Sequence, residues 1–324
     1  MTLWRGAACL LLAGALSSPA AAFVRSKVPF SDACLWWGER EISYRIHQAG
    51  SDDLQDGSDV LAVRQSFQAW SEVECSDVHF VYRGLVSRGT VGYREGDPEN
   101  TNLVVWRERA CSNVAPAQDP CWLCLTTGGE CCGSKYDCWE HPSGVIAVTT
   151  TTFDSVTGEL NDADIELNGA EFWFTTRDAP ACDDPEVPPV CTGDADCAAG
   201  TRCFRGACLE DGCVRTDVAN TVTHEVGHVL GLDHSTVPGA TMFASAEAGE
   251  LDKRTLEEDD REGLCTIYPV GGPTLTCFGQ SLSYRLIQSD LDSRGCLGCG
   301  SGGGPAGGLP LALVVLFFWV WRRR

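Results

Sequence analysis

Eleven residues in the second half of the chain, His-Glu-Val-Gly-His-Val-Leu-Gly-Leu-Asp-His from His224 to His234, constrain the fold most. Positions four apart on an α-helix share a face, so His224 and His228 present their imidazoles to one point. A straight helix would carry His234 about 15 Å along its axis from His224, out of reach of that point. Gly231 resolves this, because glycine adopts positive φ at little cost and lets the chain turn back. The sequence therefore predicts a helix, a sharp turn and three convergent imidazoles.

Three histidines that meet at one point are typical ligands of a catalytic zinc ion. A catalytic site has three protein ligands and leaves the fourth position to water, whereas a structural zinc site is closed by four protein ligands. Glu225 points roughly 100° around the helix axis from His224, so it is poorly placed as a ligand but can reach a water beside the metal. We therefore expect one Zn²⁺ on His224, His228 and His234, with Glu225 as the catalytic general base.

The spacing His-Glu-x-x-His-x-x-Gly-x-x-His, followed by Met242, resembles the signature of the metzincin proteases with its Met-turn. Ser235, directly after the third histidine, and the run from Gly231 to Met242 are most similar to the matrixin branch, the matrix metalloproteinases. The resemblance implies a zinc-dependent endopeptidase that hydrolyses extracellular proteins. It implies an α+β fold, with a five-stranded twisted mixed sheet and three helices, and an apolar floor under the histidines formed by Met242.

The same resemblance implies how a substrate would bind. The substrate would lie extended along an edge strand and pair with its main chain, and the residues of that strand are Val145, Ile146, Ala147 and Val148. Residues 235–241, including Pro238, would line the pocket for the side chain just after the cut. Asp259 and Asp260 would support the Met-turn region, with a solvated acidic face as the alternative.

Hydrophobic periodicity predicts the order of the elements. Strands are predicted at 41–46, 78–82, 103–106, 145–148 and 165–167, where apolar residues alternate or form compact runs. Helices are predicted from 60 to 70 with Ser58 as a cap, around the histidines, and after a capping box formed by Thr255 and Glu258. This order is that of the metzincin catalytic domain, and the resemblance covers residues 36–269.

Nineteen cysteines in 324 residues indicate an oxidising compartment. Arg5, an apolar run and three alanines ending at Ala22 predict a secretory signal peptide over residues 1–22, followed by an N-terminal segment at 23–35. Two cysteine-rich insertions, at 107–142 and 178–216, interrupt the catalytic domain. The second insertion is too short and polar to bury a core, so we expect disulfides to hold it; either an exosite for a large substrate or a spacer is consistent with it.

The cysteines that follow the predicted signal peptide fall into groups of even size, which predicts disulfides within each group. The main domain has Cys34, Cys75, Cys265 and Cys277; the first insertion has Cys111, Cys121, Cys124, Cys131, Cys132 and Cys138; the second has Cys182, Cys191, Cys197, Cys203, Cys208 and Cys213; the tail has Cys296 and Cys299. Two alternatives are a metal or redox role for Cys121 and Cys124, and a zinc-capping thiolate at Cys34.

The C-terminus is predicted to carry a second targeting signal. Residues 270–308 form a linker that contains the tail cysteines and a glycine-rich stretch, and residues 309–324 are an apolar segment with three terminal arginines. Together they resemble the sorting tails of myxobacterial surface proteins, with a short apolar helix; the alternative is a plain membrane stop. Either interpretation predicts a secreted protein attached to a membrane or cell surface.

The charge and the other polar residues limit further partners. A formal charge of −21 argues against nucleic acid, and we expect a monomer that acts on protein or peptide substrates.

Asp164 stands where vertebrate matrixins carry a histidine ligand of a second, structural zinc, so we do not expect that zinc. The acidic residues from Asp154 to Asp164 are candidates for a Ca²⁺ site, with a solvated turn as the alternative. For His47, His79 and His141 we expect solvent or ordinary hydrogen bonds.

The alternative function is a surface binding or adhesion protein on a catalytically silent metzincin scaffold. Loss of Glu225 or of one histidine would favour that alternative, and all four residues are present.

Overall fold

The computed structural model describes residues 22–119, 135–277 and the strand at 315–321. In chain order the strands and helices are β1 (Val24–Arg25), β2 (Glu41–His47), α1 (Ser58–Ser71), β3 (His79–Val86), β4 (Asn102–Trp106), β5 (Val145–Phe153), β6 (Leu160–Leu167), β7 (Phe174–Thr175), β8 (Thr201–Phe204), β9 (Ala207–Glu210), β10 (Thr216–Asp217), α2 (Val218–Val229), β11 (Leu232–Asp233), β12 (Ser245–Ala246), α3 (Glu258–Ile267) and β13 (Val315–Trp321). Short 3-10 helices lie at Cys111–Asn113, Asp194–Asp196 and Asp252–Arg254. Within these ranges, no helix combines the length and the apolar character that crossing a bilayer requires.

A mixed sheet forms the centre of the fold, with the strand order β12-β13-β5-β6-β4-β2-β3. Strands β3, β2, β4 and β6 are parallel, and β5 runs antiparallel to β6. These five strands and the three helices confirm the predicted α+β metzincin architecture. Strand β13 pairs antiparallel with the outer edge of β5, and β12 pairs parallel with β13.

The core lies between one face of the sheet and the helices α1 and α2. In β2, Ile42, Tyr44 and Ile46 are buried and alternate with more exposed residues, as expected for a strand with one face on a core. Tyr44 stacks on Phe67 of α1 with ring centroids 3.7 Å apart. The two helices are joined by a hydrogen bond of 2.9 Å from the Trp70 indole to the Thr223 carbonyl. This packing fixes α2 against the sheet.

Both predicted helix caps are wrong in detail. Gly57, with φ of 77°, occupies the N-cap position of α1, and the Ser58 amide donates a hydrogen bond to the Asp56 carboxylate. At α3 the capping box is formed by Glu257 and Asp260. The Thr255 hydroxyl instead donates to the Asp252 carbonyl. In each case the predicted capping residue forms a hydrogen bond with the preceding turn, and another residue occupies the N-cap position.

The apolar C-terminal segment was expected to be a short helix, but residues 315–321 form strand β13. Their sequence, Val-Leu-Phe-Phe-Trp-Val-Trp, is rich in the β-branched and aromatic residues that favour strands. The outer edge of β5 also offers main-chain groups that an isolated segment would leave unpaired. Residues 1–21, 278–314 and 322–324 lie outside the described residues, and with them the signal peptide, Cys296, Cys299 and the terminal arginines.

Six disulfides occur in the described part of the chain, and all of them join cysteines of the same predicted group. They are Cys34–Cys277, Cys75–Cys265, Cys111–Cys138, Cys182–Cys213, Cys191–Cys203 and Cys197–Cys208. The first bond excludes Cys34 as a zinc-capping thiolate. Cys121, Cys124, Cys131 and Cys132 lie outside the described residues.

Candidate active site

The histidines are carried by α2, whose local sequence defines both of its ends. The Asp217 carboxylate caps the helix by accepting a hydrogen bond of 2.8 Å from the Asn220 amide. Val222, Val226 and Val229 are fully or almost fully buried and hold the helix against the sheet. At the other end, the Trp37 indole donates to the Val229 carbonyl over 2.7 Å, so a carbonyl left over at the helix end is satisfied.

The predicted turn occurs at Gly231, which has a φ of 86°. A side chain would be excluded there on a second ground, because a Cβ atom would lie 2.5 Å from the Leu35 carbonyl oxygen. After the turn, the Leu232 carbonyl returns to the helix and lies 2.8 Å from the Nδ1 atom of His228. Glycine is therefore required both for the backbone conformation and for the close approach of the N-terminal segment.

The turn brings the three predicted ligand histidines together. The Nε2 atom of His228 lies 3.2 Å from that of His224 and 3.3 Å from that of His234. One ligand atom from each of the three lies within 4.8 Å of those of the other two. His224 and His228 are fully buried, and His234 is partly exposed. The site therefore has a closed base and one open side.

The hydrogen bonds of the histidines favour metal-binding tautomers. The Nδ1 atom of His224 lies 2.6 Å from the Thr241 carbonyl, and that of His228 has the Leu232 carbonyl, so in both rings Nδ1 carries the proton. Burial, and the neighbouring imidazoles, lower the pKa of His224 and His228 well below the ordinary value. Both rings are thus neutral and direct an Nε2 lone pair to the common point.

This arrangement fits zinc. With zinc–nitrogen bonds of about 2.0–2.1 Å, two ligands of a tetrahedral ion have nitrogen atoms about 3.3 Å apart. The distances of 3.2 and 3.3 Å between Nε2 atoms match that spacing. Three lone pairs directed at one another repel unless a cation lies between them, so the donor set is complementary to a divalent ion.

Glu225 lies beside the histidines on the side of β5. Its carboxylate is fully buried, and its Oε2 atom accepts a hydrogen bond of 2.6 Å from the Thr149 hydroxyl. Its Oε1 atom has no hydrogen-bond partner within the described residues. Burial raises the pKa of the Glu225 carboxyl to about 8, and the Thr149 hydroxyl opposes that rise. One carboxylate oxygen is therefore held by Thr149, and the other is buried without a partner among the described residues.

Met242 is buried against the helix that carries His224 and His228. It is 2% exposed, and a Cβ atom at Gly227 would lie 2.1 Å from its sulfur, so the glycine leaves room for the methionine side chain against α2. The Asp260 carboxylate accepts hydrogen bonds from the Thr241 and Met242 amides, at 2.7 and 3.0 Å. The predicted structural role of Asp260 is confirmed.

Asp259 takes a different partner, since its carboxylate accepts a hydrogen bond of 2.6 Å from the Ser235 hydroxyl. The Ser235 amide in turn donates to the Met242 carbonyl over 2.8 Å. The two aspartates of α3 thereby hold the residues just after the third histidine and the Met-turn, which is the support that was expected of them.

Val145, Ile146, Ala147 and Val148 open strand β5, which passes Glu225 at Thr149. Their outer edge is paired with β13, so in this structure a strand already lies in the position predicted for substrate. On its other side this strand is flanked by β12, which follows Met242. Pro238 is exposed in a surface depression that Val237, Leu251 and Glu257 also line.

The acidic residues of β6 are buried on the face of the sheet opposite α2. The Asp164 carboxylate accepts hydrogen bonds from the amides of Gly92 and Leu103, at 2.5 and 2.8 Å. Glu166 binds the Arg107 guanidinium at 2.6 Å and lies 3.3 Å from Nε2 of His141. Only the edge of the predicted acidic stretch is a solvated turn, in which Asp154 accepts hydrogen bonds from the amides of Val156 and Thr157.

The comparisons with known proteins agree with this geometry. Residues 137–269 match the family described as Matrixin. The chain is 44% identical over 55 residues to human matrix metalloproteinase-25, covering 16% of this chain and 10% of that protein. It is 42% identical over 73 residues to Metalloendoproteinase 5-MMP of Arabidopsis thaliana, and 35% identical over 74 residues to human neutrophil collagenase. The last two matches cover 22% and 20% of this chain, and 19% and 16% of those proteins.

The sheet, the helices and the histidine centre define an α+β catalytic domain of the metzincin class. Within that class, the family match and the relatives support a matrixin-like metalloendopeptidase, to which residues 137–269 are similar. The chain spans only between 10% and 19% of the lengths of the three relatives above.

Sequence reasoning missed three residues of this site. Thr149 binds the general-base candidate, Gly227 admits the Met-turn sulfur, and Trp37 caps the end of α2. Gly227 was open to inference, since glycine inside a helix weakens it and needs a packing reason. Thr149 and Trp37 are 76 and 192 residues from their partners, and no local pattern connects them.

Proposed function

We propose that this protein is a zinc-dependent endopeptidase that hydrolyses peptide bonds of extracellular proteins. The observation that carries the proposal is the convergence of three histidines, with the Nε2 atom of His228 at the spacing of tetrahedral zinc ligands from those of His224 and His234, beside a Glu225 oxygen without a partner among the described residues. His224, His228 and His234 would hold the ion. When bound, zinc would supply a Lewis acid that polarises a peptide carbonyl and makes water a stronger acid.

The residues of the chain perform the proton transfers and the positioning. Glu225 accepts the proton of the attacking water and delivers it to the leaving amine, as a general base and then a general acid. Thr149 holds one oxygen of that carboxylate, so the other keeps a constant direction. The Thr241 and Leu232 carbonyls fix the His224 and His228 rings, which keeps their lone pairs on the ion.

The substrate lies between β5 and β12 as an added strand. Val145 to Val148 offer the main-chain groups for an antiparallel partner, and the register of β13 supports this direction. The side chain just after the cut would lie close to residues 235–241, including Pro238, and to β12, which follows Met242 and flanks β13.

Three features favour action outside the cytoplasm. The disulfides require an oxidising compartment, the N-terminal residues have the pattern of a signal peptide, and the apolar residues 309–321 are followed by three arginines. We propose that this tail attaches the secreted enzyme to the cell surface. Calcium has weaker support, because the buried carboxylates of β6 already bind amide and guanidinium donors.

Metal analysis combined with a peptide-cleavage assay tests this function. Purified protein should contain about one zinc per chain and cut a protein substrate such as casein. A chelator should abolish cleavage, and added Zn²⁺ should restore it. A catalytically silent adhesion protein on the same scaffold would bind zinc and leave every peptide intact. The presence of Glu225 together with all three histidines favours the enzyme.

A further inference from the structure

We propose that the disulfide-held second insertion forms a subsite for the substrate residues about four positions beyond the cut, and that it accepts an apolar or aromatic side chain there. This inference rests on the proposed peptidase function and deepens it. The subsite is a pocket of about 790 Å³ between the insertion, the turn after β6 and the end of the substrate cleft. That volume is within the range of side-chain and ligand sites in proteins.

The pocket is continuous with the cleft at one end. Gly144, which lines it, directly precedes the first residue of β5, and Ala248 lies two residues after the end of β12. These are the two strands between which the substrate runs. A chain that leaves the cleft between them at this end therefore reaches the pocket without a turn.

The direction of the chain identifies which part of the substrate arrives there. Strand β13 lies in the cleft antiparallel to β5, with Phe317 opposite Thr149 and Val320 opposite Val145. Thr149 marks the position of the reaction, because it binds Glu225. A strand in this direction runs from the reaction centre towards its own C-terminal end as it approaches Gly144. The pocket thus faces the leaving-group side, four β5 residues or about 13 Å beyond Thr149.

The walls of the pocket are apolar and come from both the domain and the insertion. Phe172 and Trp173 belong to the segment after β6, whereas Phe204 and Leu209 belong to the β8–β9 hairpin of the insertion. The rings of Trp173 and Phe204 are stacked, with centroids 5.4 Å apart. Without the insertion, the domain side of the pocket would be an open surface.

The charged groups around the pocket are already paired. Arg215 lies over the Trp173 ring at 4.8 Å and forms an ion pair with Asp184. Arg205 forms an ion pair with Glu171. Because each guanidinium has a carboxylate, the pocket offers no uncompensated charge to a substrate side chain. Its selectivity should therefore come from apolar burial and from stacking on Phe204.

Two peptides and two variants test the subsite in the full-length protein. The peptides share a sequence that the wild type cuts; the short one ends two residues after the cut, and the long one continues to a phenylalanine four residues after it. Phe204→Ala removes a wall, and Ala248→Trp fills the mouth from an exposed position. Ala199→Trp, exposed in the same insertion and outside the pocket, is the control for the filling variant.

We expect both pocket variants to lower the kcat/KM ratio of long to short peptide about tenfold, the effect of losing burial of one aromatic side chain. The short peptide should be cut at the wild-type rate by all variants, and Ala199→Trp should keep the wild-type ratio. An unchanged ratio in both pocket variants would overturn the subsite and leave the peptidase intact. If the wild type cuts neither peptide nor casein, the proposed function itself fails.

Discussion

The two faces of the central sheet each bury a cluster of ionisable side chains, but the clusters are completed in opposite ways. On the helix side, three imidazoles direct their Nε2 atoms at one another, and Glu225 keeps one oxygen without a partner among the described residues. On the other side, Arg107 lies between Glu166 and Asp137, at 2.6 and 3.0 Å. The first cluster needs an external cation, whereas the second contains its own.

This difference separates function from stability. A buried charge is tolerated when a partner satisfies it, and the guanidinium between two carboxylates meets that condition without a ligand. The neutral imidazoles of the histidine cluster instead present lone pairs that a bound cation would satisfy. We therefore expect substitutions on the helix side to affect catalysis at nearly constant stability, and substitutions around Arg107 to affect stability at nearly constant catalysis.

The strongest test of the comparison is Glu225→Ala. Loss of the general base should lower kcat/KM by about 10³-fold, while the zinc content of the purified protein stays at the wild-type level. Peptide cleavage and metal analysis on the same preparation measure both quantities. Retained hydrolysis would refute the role of this carboxylate.

Replacement of Arg107 by methionine tests the other face. Arg107 is 2% exposed, so the variant leaves Glu166 buried without its cation and should lose about 3–5 kcal/mol of unfolding free energy. Urea unfolding measures this loss, with Arg109→Met, whose side chain is 59% exposed, as the matched control. A comparable loss of kcat in the folded fraction would break the separation between the two faces.

Thr149→Val keeps the shape of a positioning residue and removes its hydroxyl. Because the hydrogen bond to the Glu225 carboxylate is lost, kcat should fall about tenfold or somewhat more, with KM and zinc content little changed. Steady-state kinetics on one peptide give the division between kcat and KM. A change confined to KM would assign Thr149 to substrate binding instead.

Removal of residues 309–324 tests the strand that lies against β5. An attached strand competes with substrate at a high effective concentration, so the truncated protein should show a several-fold higher kcat/KM. The cleavage rate of the short peptide, compared with that of the full chain, measures the effect. Equal rates would mean that β13 leaves the cleft freely.

The smallest effect is expected for Asp162→Asn. Burial, and the neighbouring Asp164 carboxylate, raise the pKa of Asp162 well above its ordinary value of 3.8, so the folded protein keeps this carboxyl protonated when the unfolded chain has ionised it. The stability that this group contributes is complete below about pH 4 and declines as the pH rises. Asparagine removes the decline. Urea unfolding at pH 5 and pH 8 should therefore show a smaller loss of stability in the variant than in the wild type.

The sequence predicted the histidine centre because all its ligands lie within eleven residues and because one glycine dictates the turn. Contacts between residues that are distant in the sequence could not be predicted in this way. Thr149 reaches Glu225, and Arg107 reaches Glu166, through the register of neighbouring strands, which depends on packing of the whole sheet. The predicted helix caps were wrong for a local reason, because Ser58 and Thr255 form hydrogen bonds with the preceding turns instead.

The tail segment shows a different limit. An apolar run of this length is compatible with a helix in a bilayer or with a strand on an open edge, and the surroundings decide between them. Here β5 supplies an edge, and residues 315–321 pair with it.

The Cys34–Cys277 disulfide would have a mechanical consequence if, as we propose, the enzyme is held by its C-terminal tail. Cys277 is the last residue described before the tail, and its partner precedes Leu35, whose carbonyl packs on Gly231. Tension in the tail would be transmitted through this covalent bond to the N-terminal segment. A second disulfide, Cys75–Cys265, links α3 to the segment between α1 and β3. Flow or shear acting on a tethered molecule would thus load the cross-linked rim of the domain before it could separate any helix from the sheet.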